Sequence, residues 1–190
     1  YFQIDDCFEH DGNDFRTGTW YYKNFSFSKA RNHSIDLATN DWLVWMDSDD
    51  YLLPQFQDDL KDLVNLPLGV GGVTMGCFGS QTPYNPGEKT EYYAVSHLRA
   101  FRKSTGVRFT GLVHEQVQPQ LEAALFTIVT SSIMIAHMGY IATREDMLAR
   151  FERNVKLLSA QVATSEHAKE YYLQMLQRAL FTLNDYQRKP

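Results

Sequence analysis

Cysteine is scarce in this chain: its 190 residues hold two, Cys7 and Cys77. Lying far apart, they form neither a metal-ligand spacing nor a disulfide framework. A reduced, cytoplasmic setting is the default expectation. Long apolar runs are missing too. No stretch of about 18 apolar residues occurs, so no membrane-spanning helix is expected, and no basic, apolar leader opens the chain. Basic charge is not in excess either. Eighteen Lys and Arg against 23 Asp and Glu give a net charge of −5. The charges are unclustered, and nucleic acid is not an expected partner. What is present is core-forming material, 44% hydrophobic and 14% aromatic residues. That suits one domain, or one domain with a helical appendage. The opening Tyr1-Phe2-Gln3 reads as a tag remnant or a strand cut mid-way, which makes a fragment the expectation.

The most informative stretch runs from Asn32 to Pro54. Its apolar run Trp42-Leu43-Val44-Trp45-Met46 reads as a buried strand. The run stops abruptly at Asp47-Ser48-Asp49-Asp50. Three carboxylates there repel one another unless a positive charge sits among them. Ligands of open α/β sheets bind at the carboxyl ends of strands, and a hard divalent cation suits oxygen ligands. A solvated turn capping the next helix is an equal reading of the same acids.

Around this stretch the periodicity predicts a helix from Ser26 or Ser28 to Ala38, with Phe27, Ala30, Ser34, Leu37 and Ala38 on one face. A second helix opens at Pro54, striped by Phe56, Leu60, Leu63 and Val64, and ends at Asn65 to Pro67. Strands are expected over Gly71–Phe78, Glu91–Arg102 and Phe126–Ala136. Asp5–Tyr22 and Ser80–Lys89 read as loops. Gly106–Gln118 is glycine-punctuated, with an exposed-looking His114-Glu115 pair. Thr143 and Asp146 suggest a capping box before two amphipathic helices, the first through Met147, Phe151, Val155 and Leu158, the second through Ala168, Tyr172, Met175, Ala179 and Leu183. The order α-β-α-β-β-β-αα defines an α/β fold with a mixed sheet flanked by helices and a C-terminal helical hairpin. The expected division is a core over residues 1–142 and the hairpin over 143–190.

Taken together, the string SKARNHSIDLATNDWLVWMDSDDYLLP (Ser28 to Pro54) resembles the core signature of inverting family 2 glycosyltransferases with the GT-A fold. In that family an Ala-Arg-Asn helix, an Asp-Trp turn and an apolar strand precede an Asp-X-Asp motif. SHLRAFRKSTGVRFTGLVHEQV (Ser96 to Val117) is similar to a later family segment that ends in His-Glu. IMIAHMGY (Ile133 to Tyr140) is similar to its His-X-Gly-Tyr. EDMLARFERNVKLL (Glu145 to Leu158) looks like the helix that leads bacterial members into tetratricopeptide-like extensions. The likeness spans roughly Phe25 to Leu158. Nothing before Phe25 resembles the family's opening strands, which bind the nucleotide base.

The resemblance implies roles residue by residue. Asp49 is the main carboxylate ligand of Mn²⁺ or Mg²⁺. Asp47 contacts the ribose or the metal, and His137 completes the metal site. Glu115 is the catalytic base, and Arg31 and Asn32 line the donor's nucleotide side. The implied donor is a nucleotide-sugar, a UDP-sugar first among the candidates. The acceptor is a glycan, a lipid-linked saccharide or a protein side chain, with peripheral attachment at the inner face of the membrane as one setting.

Plainer readings stand beside these. His137 is a structural histidine, Glu115 a solvated acid, and Asp50 a helix cap. Arg31 is a partner of the acidic cluster. Arg99 and Arg102 form a solvated strand face or a phosphate site. Tyr21, Tyr22 and Phe25 are core residues or an acceptor platform. The rivals to sugar transfer are a catalytically inactive glycosyltransferase-like binding module and a metal-dependent phosphotransfer or hydrolase domain.

Overall fold

The computed structural model describes residues 26–80, 92–137, 144–164 and 169–188. The aromatic trio Tyr21, Tyr22 and Phe25, the two expected loops apart from Ser80, and the Thr143 capping box lie outside them. The described chain forms two compact units, one of residues 38–80, 92–107, 117–137 and 144–150, the other of residues 26–37, 108–116, 151–164 and 169–188.

The first unit is built on a five-stranded mixed sheet in the order β1-β4-β3-β5-β2. Its strands are β1 (Trp42–Val44), β2 (Asp50–Leu52), β3 (Val70–Ser80), β4 (Tyr92–Arg102) and β5 (Thr127–His137). β3 and β5 run parallel, and the other pairings are antiparallel. The three long strands fall where alternation and β-branched residues place them. Pro54 opens a single 3₁₀ turn, Pro54–Phe56, which leads into the short helix α2 (Gln57–Lys61). A further 3₁₀ turn ends at Asn65. Leu63, Val73, Met75, Cys77, Ala100, Ile133 and Ile135 form the core, with Trp42, Leu52, Phe56 and Leu60 packed on it.

Several expectations need correction here. β1 is shorter than Trp42–Met46 and is not buried: Val44 and Met46 are more than a third exposed, because β1 lies at the end of the strand order. Val64 points to solvent, since the 3₁₀ turn takes it off the helical stripe. β2 and the short helix α3 (Gln118–Ala123) were not expected.

Arg99 and Arg102 do not line a solvated face, being 4% and 6% exposed. Arg102 donates to the carbonyls of Val70 (3.0 Å) and Leu66 (2.7 Å) and to Asp41 Oδ2 (2.8 Å), with its guanidinium over Trp42. These three hydrogen bonds, one from each guanidinium nitrogen, stitch the start of β3 to the entry of β1.

The second unit contains helix α1 (Phe27–Leu37), most of α4 (Arg144–Thr164) and α5 (Lys169–Arg188). Ser26 caps α1: its Oγ accepts the Lys29 N–H at 3.3 Å. The buried positions of α1 are Ser28 and Ile35, and Leu37 is exposed, so its inner face is rotated from the expected one. Val113, Leu157, Leu158 and Tyr172 make this unit's core, with Phe27, Met175 and Leu176 against it. Among the described residues no helix is long and apolar enough to cross a membrane.

Candidate functional site

The acidic turn begins where β1 leaves the sheet. Trp45 N–H donates to Arg99 O (3.0 Å), which extends the β1–β4 pairing by one step. The chain then closes a tight turn. Asp50 N–H donates to Asp47 O (3.0 Å), and Asp47 N–H donates back to Asp50 Oδ2 (2.8 Å). Asp50 is the first residue of β2 and pairs in register with His137, the last residue of β5. This ladder contact explains why residues 87 positions apart in sequence meet. One ligand atom from each of Asp47, Asp49, Asp50 and His137 lies within 4.8 Å of the others.

β4 supplies the positive charge that three carboxylates require. Val73 pairs with Ala100 and Thr74 with Leu98, so β4 carries one extra residue, Arg99, at a bulge. Bulges re-aim side chains. Here Arg99 Nη1 donates to Asp50 Oδ2 at 2.7 Å and stands 3.9 Å from Asp47 Oδ2. Its Nε reaches Cys77 Sγ (3.3 Å), and its guanidinium lies 4.0 Å from the Trp45 ring centroid. Burial pushes the Cys77 thiol above its ordinary value despite the arginine, so it stays a thiol.

Asp50 is wholly enclosed, with a side-chain exposure of 0%. Burial alone raises its pKa. The hydrogen bond with His137, the Asp47 N–H and the Arg99 charge outweigh that and hold it below the ordinary carboxylate range. His137 is shifted upward, first by its hydrogen bond to Asp50 and then, against burial, by the charges of Asp49, Asp50 and Asp47.

The donor set fits a hard divalent cation. Carboxylates with one imidazole suit Mn²⁺ or Mg²⁺. Asp47 and Asp49 are 39% and 34% exposed and His137 18%, which leaves them accessible to an ion that keeps water and phosphate ligands. Asp49 Oδ1 lies 3.7 Å from His137 Nδ1.

The helical unit holds the other expected residues. Glu115 is not a solvated acid: its side chain is 8% exposed and ion-paired with Arg31 Nε. Arg31 also lies over the Phe109 ring. Asn32 clamps the Phe109 backbone from both sides, accepting its N–H (2.8 Å) and donating to its carbonyl (3.0 Å). An isolated bridge between Thr110 and Gln116 closes the loop carrying Glu115. Two residues in that loop have positive φ, Gly111 (101°) and His114 (55°). The latter is a strained conformation for a non-glycine residue, of the kind concentrated at functional sites. α4 holds the loop through Leu112 N–H to Gln161 Oε1 (2.7 Å).

Asp47, Asp49 and His137 therefore converge, and Arg31 meets Glu115. Arg99 brings a guanidinium to the acidic turn. Asp50 is not a helix cap but the centre of the turn's hydrogen bonding. Sequence reasoning missed this role of Asp50 and Arg99, because nothing in a linear string marks a β-bulge or a three-residue strand.

A mixed sheet flanked by helices, with an Asp-X-Asp turn delivered to a histidine at a strand end, is a GT-A-like α/β fold. The glycosyl transferase family 2 model matches residues 22–118, half of the chain, and the chain belongs to that family. It is similar to the SPbeta prophage-derived glycosyltransferase SunS of Bacillus subtilis (strain 168), with 26% identity over 136 residues, 72% of this chain. The glycosyltransferase SunS of Bacillus phage SPbeta matches to the same extent. The aligned stretch covers 30% of the length of each relative.

Proposed function

We propose that this chain is the catalytic part of a glycosyltransferase that moves a sugar from a nucleotide-diphosphate donor, a UDP-sugar first, to a hydroxyl-bearing acceptor with inversion. The acidic turn and His137 would hold Mn²⁺ or Mg²⁺. The observation carrying the reading is the convergence of Asp47, Asp49 and His137 beside the buried Asp50 in a chain of this family. Asp49 and His137 are the proposed metal ligands, and Asp47 serves the metal or the donor ribose. A divalent ion held there would offset the charge that builds on the departing diphosphate.

Glu115 is the proposed base. Its carboxylate takes the proton of the acceptor hydroxyl, whose oxygen bonds to the anomeric carbon as the bond to the diphosphate oxygen breaks. The diphosphate leaves with that electron pair. Arg31 and Asn32 are the proposed donor-binding residues; Arg31 pairs with Glu115, and Asn32 holds the Phe109 backbone. The acceptor is a glycan, a lipid-linked saccharide or a protein side chain.

The test is titration of the protein with UDP-glucose, UDP-N-acetylglucosamine and GDP-mannose in the presence of Mn²⁺, followed by release of nucleoside diphosphate. Asp49→Ala is expected to abolish metal-dependent donor binding. Glu115→Gln should spare binding and cut turnover by about 10²-fold or more. A folded wild type that binds none of these donors would sink the enzyme reading. Equal loss of binding in both variants would mean the roles are misassigned.

A further inference from the structure

Four groups at the acidic turn have ligand chemistry, but they are not equivalent. Asp47, Asp49 and His137 have exposed side-chain surface, whereas Asp50 has none. Both Asp50 oxygens are already committed. Oδ2 accepts the Asp47 N–H at 2.8 Å and Arg99 Nη1 at 2.7 Å, and Oδ1 faces His137 Nδ1 at 2.8 Å.

An ionised carboxylate only accepts hydrogen bonds, so the Nδ1 facing it carries the proton. In the neutral ring that leaves the lone pair on Nε2. We propose that Asp50 is not a metal ligand but a positioning residue, which fixes His137 as the Nδ1–H tautomer and reserves Nε2 for the cation. Such carboxylate partners orient metal-binding histidines and raise their basicity. The inference rests on the reading of His137 as a ligand. The arrangement is set by backbone register, because Asp50 and His137 are paired residues of β2 and β5.

The geometry makes an unusual prediction for Asp50→Asn. An amide has one oxygen, and the two donors at the Oδ2 position hold it there. Its NH₂ then faces His137 Nδ1, which must become the acceptor, and the ring proton moves to Nε2.

The experiment labels the six histidines with ¹⁵N and records long-range ¹H–¹⁵N spectra of the metal-free protein at a pH where the rings are neutral. His137→Ala assigns the signal. Wild type is expected to show Nδ1–H at His137, and Asp50→Asn to show Nε2–H with the remaining spectrum preserved. A wild-type Nε2–H tautomer would overturn the proposal, and this arm needs no folded variant of Asp50. Mn²⁺ binding, followed by electron paramagnetic resonance, provides the second readout. Asp50→Asn and His137→Ala should each weaken it about 10- to 100-fold, and the double variant should be no weaker than either alone. Additive losses would make Asp50 a ligand in its own right and refute the idea. Absence of any Mn²⁺ binding by wild type would refute the metal reading, with the tautomer result still deciding what Asp50 does.

Discussion

Arg99 is what allows three carboxylates to share one turn. Its side chain is 5% exposed beside an Asp50 side chain that is fully enclosed, so this is a buried pair, not a screened surface contact. Removing one partner of such a pair leaves the other charged and unsolvated, at a cost of roughly 3–5 kcal/mol. Arg99→Met is expected to lose about that much stability in chemical denaturation. Arg99→Lys should lose less, because it keeps the charge while giving up the simultaneous reach to Asp50, Cys77 and the Trp45 face. Equal loss in the two variants would mean that shape rather than charge matters there. At this scale the sequence was legible wherever chemistry follows from neighbours in the chain. Asp47 and Asp49 stand two apart at a strand end, a pattern visible in the string itself, whereas His137 was singled out only through the family resemblance, since a histidine closing a strand reads equally as structural. Asp50 and Arg99 were not readable, because their roles arise from strand register. The burial of Glu115 was hidden for a similar reason. Its partner Arg31 is 84 positions away, and the polar string around it looks like a solvated loop.

Elements carry these residues to their places, and glycine is one of the means. Gly79 of β3 is paired with His137, and a β-carbon at Gly79 would lie 2.7 Å from the His137 carbonyl oxygen. That neighbour is backbone, so it cannot swing aside. Gly79→Ala should therefore separate the ends of β3 and β5, at a cost of about 1–3 kcal/mol in overpacking. The His137–Asp50 contact should be disturbed with it. The measurement is denaturation together with the His137 ring resonances, and an unchanged His137 environment would contradict the argument. The long strands were legible because alternation and β-branching persist over many residues, and α1 because Ser26 caps a clear run. β2 is three residues opening on an aspartate, too short for any period to register. The inner face of α1 was misread because Ser28 is buried through a hydrogen bond with Ser26 Oγ (2.8 Å), which hydrophobic spacing does not reveal.

For the molecule as a whole, the groups with shifted ionisation shape stability against pH from both sides. Asp41 and Asp50 lie below their ordinary values. For Asp41, burial pushes upward, but hydrogen bonds from Arg102 and the Ser104 N–H prevail. A carboxyl depressed in the folded state contributes stability above its unfolded pKa and loses it as pH falls through the folded value. His137 is raised, first by its hydrogen bond to Asp50. Its contribution is complete below its unfolded value of about 6.5 and disappears as pH climbs through the folded one. Without divalent ions, stability should therefore be greatest between the carboxylate range and the raised histidine pKa, falling on both flanks. Urea denaturation across pH in the presence of a chelator tests this. Asp41→Asn should flatten part of the acid flank and leave the alkaline flank unchanged. Because Asp41 is 41% exposed, its contribution is that of a screened pair, at most about 1 kcal/mol. His137→Ala should flatten the alkaline flank, and also weaken the acid one because Asp50 loses the partner that depresses it. A His137→Ala protein whose alkaline flank still falls as in wild type would show that some other group sets it.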